Sequence, residues 1–329
     1  MSMNKSTRRI WLTRVIGASA VLASHVTSTA QTKYPGKTIR VIVPYAPGGG
    51  TDVIGRKLLQ NMASQLGQPI IIDNRPGAGT VIGTDAVARA EADGYTLLIN
   101  TNAIAVNASL VKKLPYNTLQ DLVPVGRICT GPNVLVVRAD SPFKTLNDII
   151  RASRAKPGSL SYASSGNGTA VHLAAELLKV TAKIRILHIP YRGAGPAYTD
   201  LLGGQVDMLF GTAGGVSKFV QSGRMRAIAV TSESRSAAYP DVPAVSETLP
   251  GYAANVWYGM FAPKGTPNEI LTALNDAMRL AVSDPGYSAD LVRDGLTAAV
   301  NSPSEMVTFM RSEVERWQKV VTEAGITLD

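Results

Sequence analysis

Cysteine is almost missing: the 329 residues hold one, Cys129, which excludes an intrachain disulfide and any cysteine-cluster zinc or iron–sulfur site. Three histidines (His25, His172, His188) leave little room for a histidine metal centre. Charged residues make up only 17% and aromatics 6%, beside 45% hydrophobic residues. A disordered chain would be charge-rich and apolar-poor, so this one is globular. No run of five basic residues and no basic–aromatic ladder occurs, so nucleic-acid binding has no support despite a formal net charge of +9. Nucleotide motifs fail as well. Gly77, Gly79 and Gly83 are spaced one residue too far for the dinucleotide fingerprint, and no glycine loop ends in Gly-Lys-Ser/Thr. No cofactor and no metal is expected.

What the chain does have begins with an address. Lys5, Arg8, Arg9 and Arg14 precede an apolar run at 15–23, and Ser28-Thr29-Ala30 supplies small residues at a cleavage site. That is the layout of a secretory signal peptide over residues 1–30, and it predicts a periplasmic product. The apolar run is far below the ~20 residues needed to span a bilayer. Thr7-Arg8-Arg9-Ile10-Trp11-Leu12 also resembles a twin-arginine signal, so both export routes stay open. With no cysteine near the cleavage site, lipid anchoring is excluded and a soluble product follows. Without the leader, the 33 basic residues fall to 29 against 24 acidic ones, a net of +5. The remaining positive charge is scattered; it suits either an anionic small molecule or an unspecific surface.

The rest alternates strands and helices. Strands are predicted at 39–45, 70–73 and 95–99, with a helix from Thr51-Asp52 to Leu66 and a small-residue helix from the 74–79 turn to about Ala92. After a loop-rich stretch come a strand at 134–138 and a helix to about Ala155. That helix opens at Thr145, whose partner Asp148 makes a capping box. Next are strands at 160–163, 184–189, 206–210 and 227–230, interleaved with helices at 170–181, 196–202 and from the 211–215 loop through Val220. Two strong helices, 268–282 and 304–324, finish the chain. Such alternation predicts mostly parallel sheets covered by helices, in two domains at roughly 150 residues each. The last two helices lack a sheet of their own and are expected to return to the first domain. The boundaries read as 31–131 with 253–329 for one lobe, and 132–252 for the other.

Four strand-to-helix junctions are built from Gly, Ser, Thr and Asn: 47–52, 74–80, 164–169 and 211–215. Helix N-termini carry unpaired N–H groups and about half a positive charge. Small residues let those amides approach an anion closely, and the hydroxyls of Thr51, Ser165 and Thr169 can donate to it. Each loop can equally be a tight turn that favours glycine. Asp52 reads as a helix cap first and a ligand neighbour second, and Arg192 as a counter-ion or a solvated loop residue. Trp257 and Tyr258 either line a cleft or pack at the crossover between domains. Catalytic signals are thin. No G-x-S-x-G elbow surrounds Ser164 or Ser165, and a Ser165–His172 pair, the basis of a rival hydrolase reading, competes with a helix-face histidine bonded to its neighbouring loop.

Taken together, these residues resemble the periplasmic solute receptors of tripartite tricarboxylate transporters, the Bug-type receptors. The resemblance is carried by Val43-Pro44-Tyr45-Ala46-Pro47-Gly48-Gly49-Gly50-Thr51-Asp52, Asn74-Arg75-Pro76-Gly77-Ala78-Gly79 and Tyr162-Ala163-Ser164-Ser165-Gly166-Asn167-Gly168-Thr169. It continues through Pro190-Tyr191-Arg192-Gly193, Leu201-Leu202-Gly203-Gly204-Gln205-Val206-Asp207 and Trp257-Tyr258-Gly259. It implies a type II periplasmic binding protein, two α/β lobes joined by a hinge with a ligand cleft between them. It further implies a non-enzymatic, monomeric receptor for a small carboxylate, serving inner-membrane transporter subunits or a sensor kinase. Carried over residue by residue, the ligand-binding positions are Tyr45, Gly48, Gly49, Thr51, Asp52, Ser165, Gly166, Asn167, Gly168, Thr169 and Asp207. Thr80 stands where such receptors often have another glycine, which leaves open how that turn packs. Residues after Phe210 vary among such receptors and are expected to tune specificity.

Overall fold

The computed structural model describes residues 34–323, 326 and 327; the leader read at 1–30 and Ala324, the last residue predicted for the final helix, lie outside them. β1 (Ile39–Val43) is an almost wholly buried β-branched run. It leads into α1 (Gly50–Leu66), whose Ile54, Leu58 and Met62 repeat every fourth residue on the buried face. Gly67 ends that helix in the left-handed conformation, φ 66°, with its N–H on Ala63 O. β2 (Ile70–Asn74) follows, then a single 3₁₀ turn, α2 (Val81–Ala88), β3 (Thr96–Thr101) and α3 (Ala103–Leu110). β4 (Leu122–Gly131) and β5 (Asn133–Arg138) are separated only by Pro132.

The second half repeats the scheme. α4 (Leu146–Ala155) starts on the expected capping box, Thr145 Oγ1 accepting from Asp148 N while Asp148 accepts from Thr145 N. β6 (Ser161–Ser164), α5 (Ala170–Ala182), β7 (Leu187–Pro190), α6 (Ala194–Leu202), β8 (Met208–Thr212), α7 (Ala213–Gln221), β9 (Met225–Val230) and the short α8 (Val245–Thr248) complete this run. β10 (Val256–Pro263), α9 (Asn268–Ser283), α10 (Pro285–Arg293), β11 (Thr297–Ala298) and α11 (Pro303–Glu323) follow.

These strands form two sheets, ordered β11-β4-β10-β3-β1-β2 and β7-β6-β8-β5-β9. The expectation of mostly parallel sheets needs correcting. β1, β2 and β3 run parallel, as do β6, β7 and β8, but β10 is antiparallel to β3 and β4, and β5 to β8 and β9. The strands that change sheet enter from the opposite direction, which no βαβ crossover prescribes. α9 packs on α1, and α11 on α3 and β4, so both C-terminal helices cover the first sheet. Trp257 packs rather than lining a cleft. Its ring meets Phe261 and Phe309, and its indole N–H donates to Glu313 at 2.6 Å. Trp317 donates to the same carboxylate; that acceptor offsets the ~1–3 kcal/mol cost of burying each indole N–H unbonded.

The chain crosses between sheets twice, at Pro132 and again between β9 and β10, and the crossings are tied together. Asn133 N donates to Thr231 Oγ1 (2.7 Å), Asn133 Nδ2 to Ala254 O (2.9 Å), and Thr231 Oγ1 to Ala254 O (2.9 Å). Cys129, near the first crossing, is fully buried and its thiol pKa is pushed up by that burial.

Candidate functional site

The C-terminal ends of β1 and β2 in one sheet face those of β6, β7 and β8 in the other. β1 delivers Tyr45, buried, with its hydroxyl 2.8 Å from Thr101 Oγ1. The chain then turns through Gly48, whose φ of +84° suits glycine, into Gly49, the N-cap of α1. Glycine has no side chain to cap with, and none does so here, so the first amides of α1 stay available.

Asp52 fixes this loop from behind. Its carboxylate accepts from Gly48 N (3.0 Å), Arg56 Nε (2.9 Å) and Asn74 Nδ2 (3.0 Å), and Asn74 also donates to Tyr45 O (3.0 Å). Burial alone would raise the carboxyl pKa; Arg56 and the two N–H donors outweigh it and hold it below the ordinary value. Asp52 is therefore committed as a brace.

On the opposite side, β6 ends at Ser164 and Thr169 begins α5, with Thr169 Oγ1 donating to Gly166 O at 2.7 Å. Two histidines support this loop. Gly168 N donates to His172 Nδ1 (3.1 Å), and Ser164 Oγ lies 2.7 Å from His188 Nε2. β8 ends at Thr212, the N-cap of α7, whose side chain makes no cap bond. Among the described residues, Thr212 Oγ1 and the hydroxyl of fully buried Tyr258 make no well-formed hydrogen bond, though they lie close enough to interact with each other.

The two sides touch. A Cβ on Gly50 would come 2.0 Å from Thr212 Oγ1, one on Gly79 1.8 Å from Asn167 O, and one on Gly193 2.5 Å from Ala46 Cβ. Only glycine fits at these crossings. The neighbouring turn is handled differently: Thr80 takes φ +82° itself, as a glycine would, while its Oγ1 accepts from Asn100 and Asn107. A β-branched residue there is strained by about 1–3 kcal/mol.

Two cavities lie between the loops. The first, about 30 Å³, holds no more than about two waters and is lined by Tyr45, Gly49, Gly50 and Thr51 from one side. Ser165, Thr169 and Thr212 face them, with Ala163, Val171, Leu209, Phe210 and Val256 as an apolar wall. The second, about 200 Å³, lies between 76–80, 165–167 and 190–193. Ser165 lines both.

The model of the tripartite tricarboxylate transporter family receptor matches residues 54–326. This chain belongs to that family. It is 38% identical over 320 residues to the protein BugT of Bordetella pertussis, covering 96% of this chain and 98% of that one. It superposes on the periplasmic binding protein BugD with a TM-score of 0.87 at 31% identity, covering 89% and 99% of the two chains. A Rhodopseudomonas protein solved with adipate, R. palustris Rpa4515, superposes at 0.86 with 32% identity over 89% and 99%. The fold is thus the two-lobed α/β fold of solute-binding proteins, and the family is one of receptors, not enzymes.

Of the positions carried over from the resemblance, Tyr45, Gly49, Thr51, Ser165 and Thr169 line the first cavity, and Gly166 and Asn167 join Ser165 in the second. Gly48 and Asp52 belong to the first loop and helix start without lining either cavity, and Gly168 abuts α3, where a Cβ would lie 2.3 Å from Asn107 Oδ1. Asp207 lies elsewhere: its carboxylate accepts from Ser161 N (2.7 Å) and Oγ (2.9 Å), at the start of β6, whereas the cavity lies past its end. Ser165 and His172 are not hydrogen-bonded to each other; His172 is the helix-face residue bonded to its own loop. Sequence reading missed Thr101, Tyr198 and Thr212 as lining residues. For Thr212 the signal existed in the 211–215 glycine loop; Thr101 and Tyr198 sit in a strand end and a helix that carried none.

Proposed function

We propose that this protein is a periplasmic receptor that captures a small carboxylate between two lobes and presents it to the membrane subunits of a tripartite transporter or to a sensor kinase. The observation that carries this reading is the convergence of three helix N-termini, those of α1, α5 and α7, on one cavity. All three begin on residues, Gly49, Thr169 and Thr212, that make no side-chain cap bond, although Ala213 N of α7 donates to Pro132 O. Amide dipoles aimed at one point favour an anion without requiring a cationic side chain. The adipate in a relative of the same fold agrees with this chemistry.

In this reading Tyr45, Gly49, Thr51, Ser165, Thr169 and Thr212 contact the ligand, and Gly48, Asp52 and Gly168 hold the contacting loops. Residues 31–131 with 253–329 form one lobe and 132–252 the other, a division supported by the membership of the two sheets. Export by a cleaved leader at 1–30, by either route, delivers a monomer to the periplasm. Among the described residues no helix is long and apolar enough to cross a membrane.

A thermal-shift screen of the purified protein against carboxylic acids tests the proposal. At one hundred times its Kd, a ligand adds about 2.7 kcal/mol of stability, a shift of several degrees. Flat melting curves across a broad panel would refute it.

A further inference from the structure

We infer that the walls of the first cavity, which must part to admit a ligand, select acids with a single carboxylate on an apolar body and discriminate against a second charge; this rests on the receptor reading above. None of the nineteen residues lining the cavity is charged. The acid–base pair of α1, Asp52 and Arg56, is engaged with itself and with the 48 and 74 backbone and side-chain donors. An anion in this cavity is therefore held by amides and hydroxyls alone.

Those groups come from both sheets. Gly50 opens α1 directly against Thr212 Oγ1, and the Tyr258 hydroxyl lies within 3.4 Å of where a Gly50 Cβ would stand. Both hydroxyls are buried and, among the described residues, make no well-formed hydrogen bond, although they lie close enough to interact with each other. An arriving carboxylate oxygen would give Thr212, which lines the cavity, a full acceptor beside the α1 amides. The rest of the lining includes an apolar wall of Val171, Leu209, Phe210 and Val256. A second carboxylate placed there would lose its hydration and meet no counter-charge, an expensive burial. An alkyl or aryl group would instead gain by leaving water. Arg192, a cation near the loops, lines only the second cavity, beyond Ser165.

Isothermal titration of the unmodified protein with matched acids decides the matter: benzoate against terephthalate, and hexanoate against adipate. The expected result is that the monoacid binds at least ten-fold tighter than its diacid in one pair or both. Thr212→Val should weaken the monoacid about ten-fold while leaving the melting temperature of the free protein near its original value. Diacids binding as well as or better than their monoacids would overturn the charge selectivity yet leave the carboxylate receptor standing. If Arg192→Ala then abolished that diacid binding, a ligand spanning both cavities would replace the inference. Failure of all four acids, together with flat curves for the wider panel, would instead sink the receptor reading itself.

Discussion

His172 and His188 stack with ring centroids 4.3 Å apart, and Tyr162 stacks on His188 at 4.7 Å. Glu176 and Lys179 of α5 are the charged groups beside them. Burial lowers the His172 pKa from 6.5 to about 4 and that of His188 to about 3, Lys179 adding to the first and His172 to the second. Both rings are thus neutral in the folded protein, as the Gly168 N–H bond to His172 Nδ1 requires. Below pH 6.5 the unfolded chain takes up protons that the folded one does not, so stability falls with pH, the His172 share down to about pH 4 and the His188 share down to about pH 3. Urea unfolding should show a loss of about 2 kcal/mol between pH 6.5 and 5, allowing for the partial exposure of His188. The loss should shrink in His188→Phe; an unchanged slope in that variant would remove the histidine pair from the account. Of the two histidine roles open in the sequence, only geometry could choose, because hydrogen-bond direction is not written in spacing.

At the level of elements, the contact between Gly79 and Asn167 can be tested against an element far from it. Gly79→Ala introduces a Cβ 1.8 Å from the opposing Asn167 carbonyl at φ +59°, so the loops must part. Ligand affinity should fall by ten-fold or more. Thr145→Ala removes a capping box on α4, well away from the cavity, and should cost about 1 kcal/mol of stability with affinity unchanged. Calorimetry on both variants would expose the opposite pattern if the loops did not govern binding. Elements whose residues carry clear periodicity or caps, such as α1, α4 and α9, were readable in advance. α3 was not, because Ala103 to Asn107 are buried on every face and leave no amphipathic stripe. β4 hid behind Pro124, Gly126 and Gly131. Gly126 is there for packing, since a Cβ would lie 2.6 Å from Met278 and 2.7 Å from Asn275. Pro124 lies beyond the two residues that β11 pairs, on the open side of the strand. The glycine loops of the site were legible as loops. Which of their residues meet across the cleft was not, since that depends on how two sheets face each other.

For the whole molecule, a cavity of about 30 Å³ is too small to admit an organic acid, so binding requires the two sheets to separate and close again. The paired crossings bound through Asn133, Thr231 and Ala254 are the natural pivot, because they alone continue the chain from one sheet to the other. A compact chain of about 300 residues has a radius of gyration of about 19 Å. Small-angle scattering should give a larger value for the ligand-free protein, contracting toward 19 Å when a binding acid is added. An identical profile with and without that acid would mean that no such motion accompanies capture.

The seclusion of Cys129 also has a practical side. Thiolate chemistry needs both access and ionisation, and this sulfur is denied both. A substitution such as Arg192→Cys, at an exposed position bordering the second cavity, would create the sole handle that a maleimide dye could find. The opening and shutting of the protein could then be followed by fluorescence without first engineering out its native sulfhydryl.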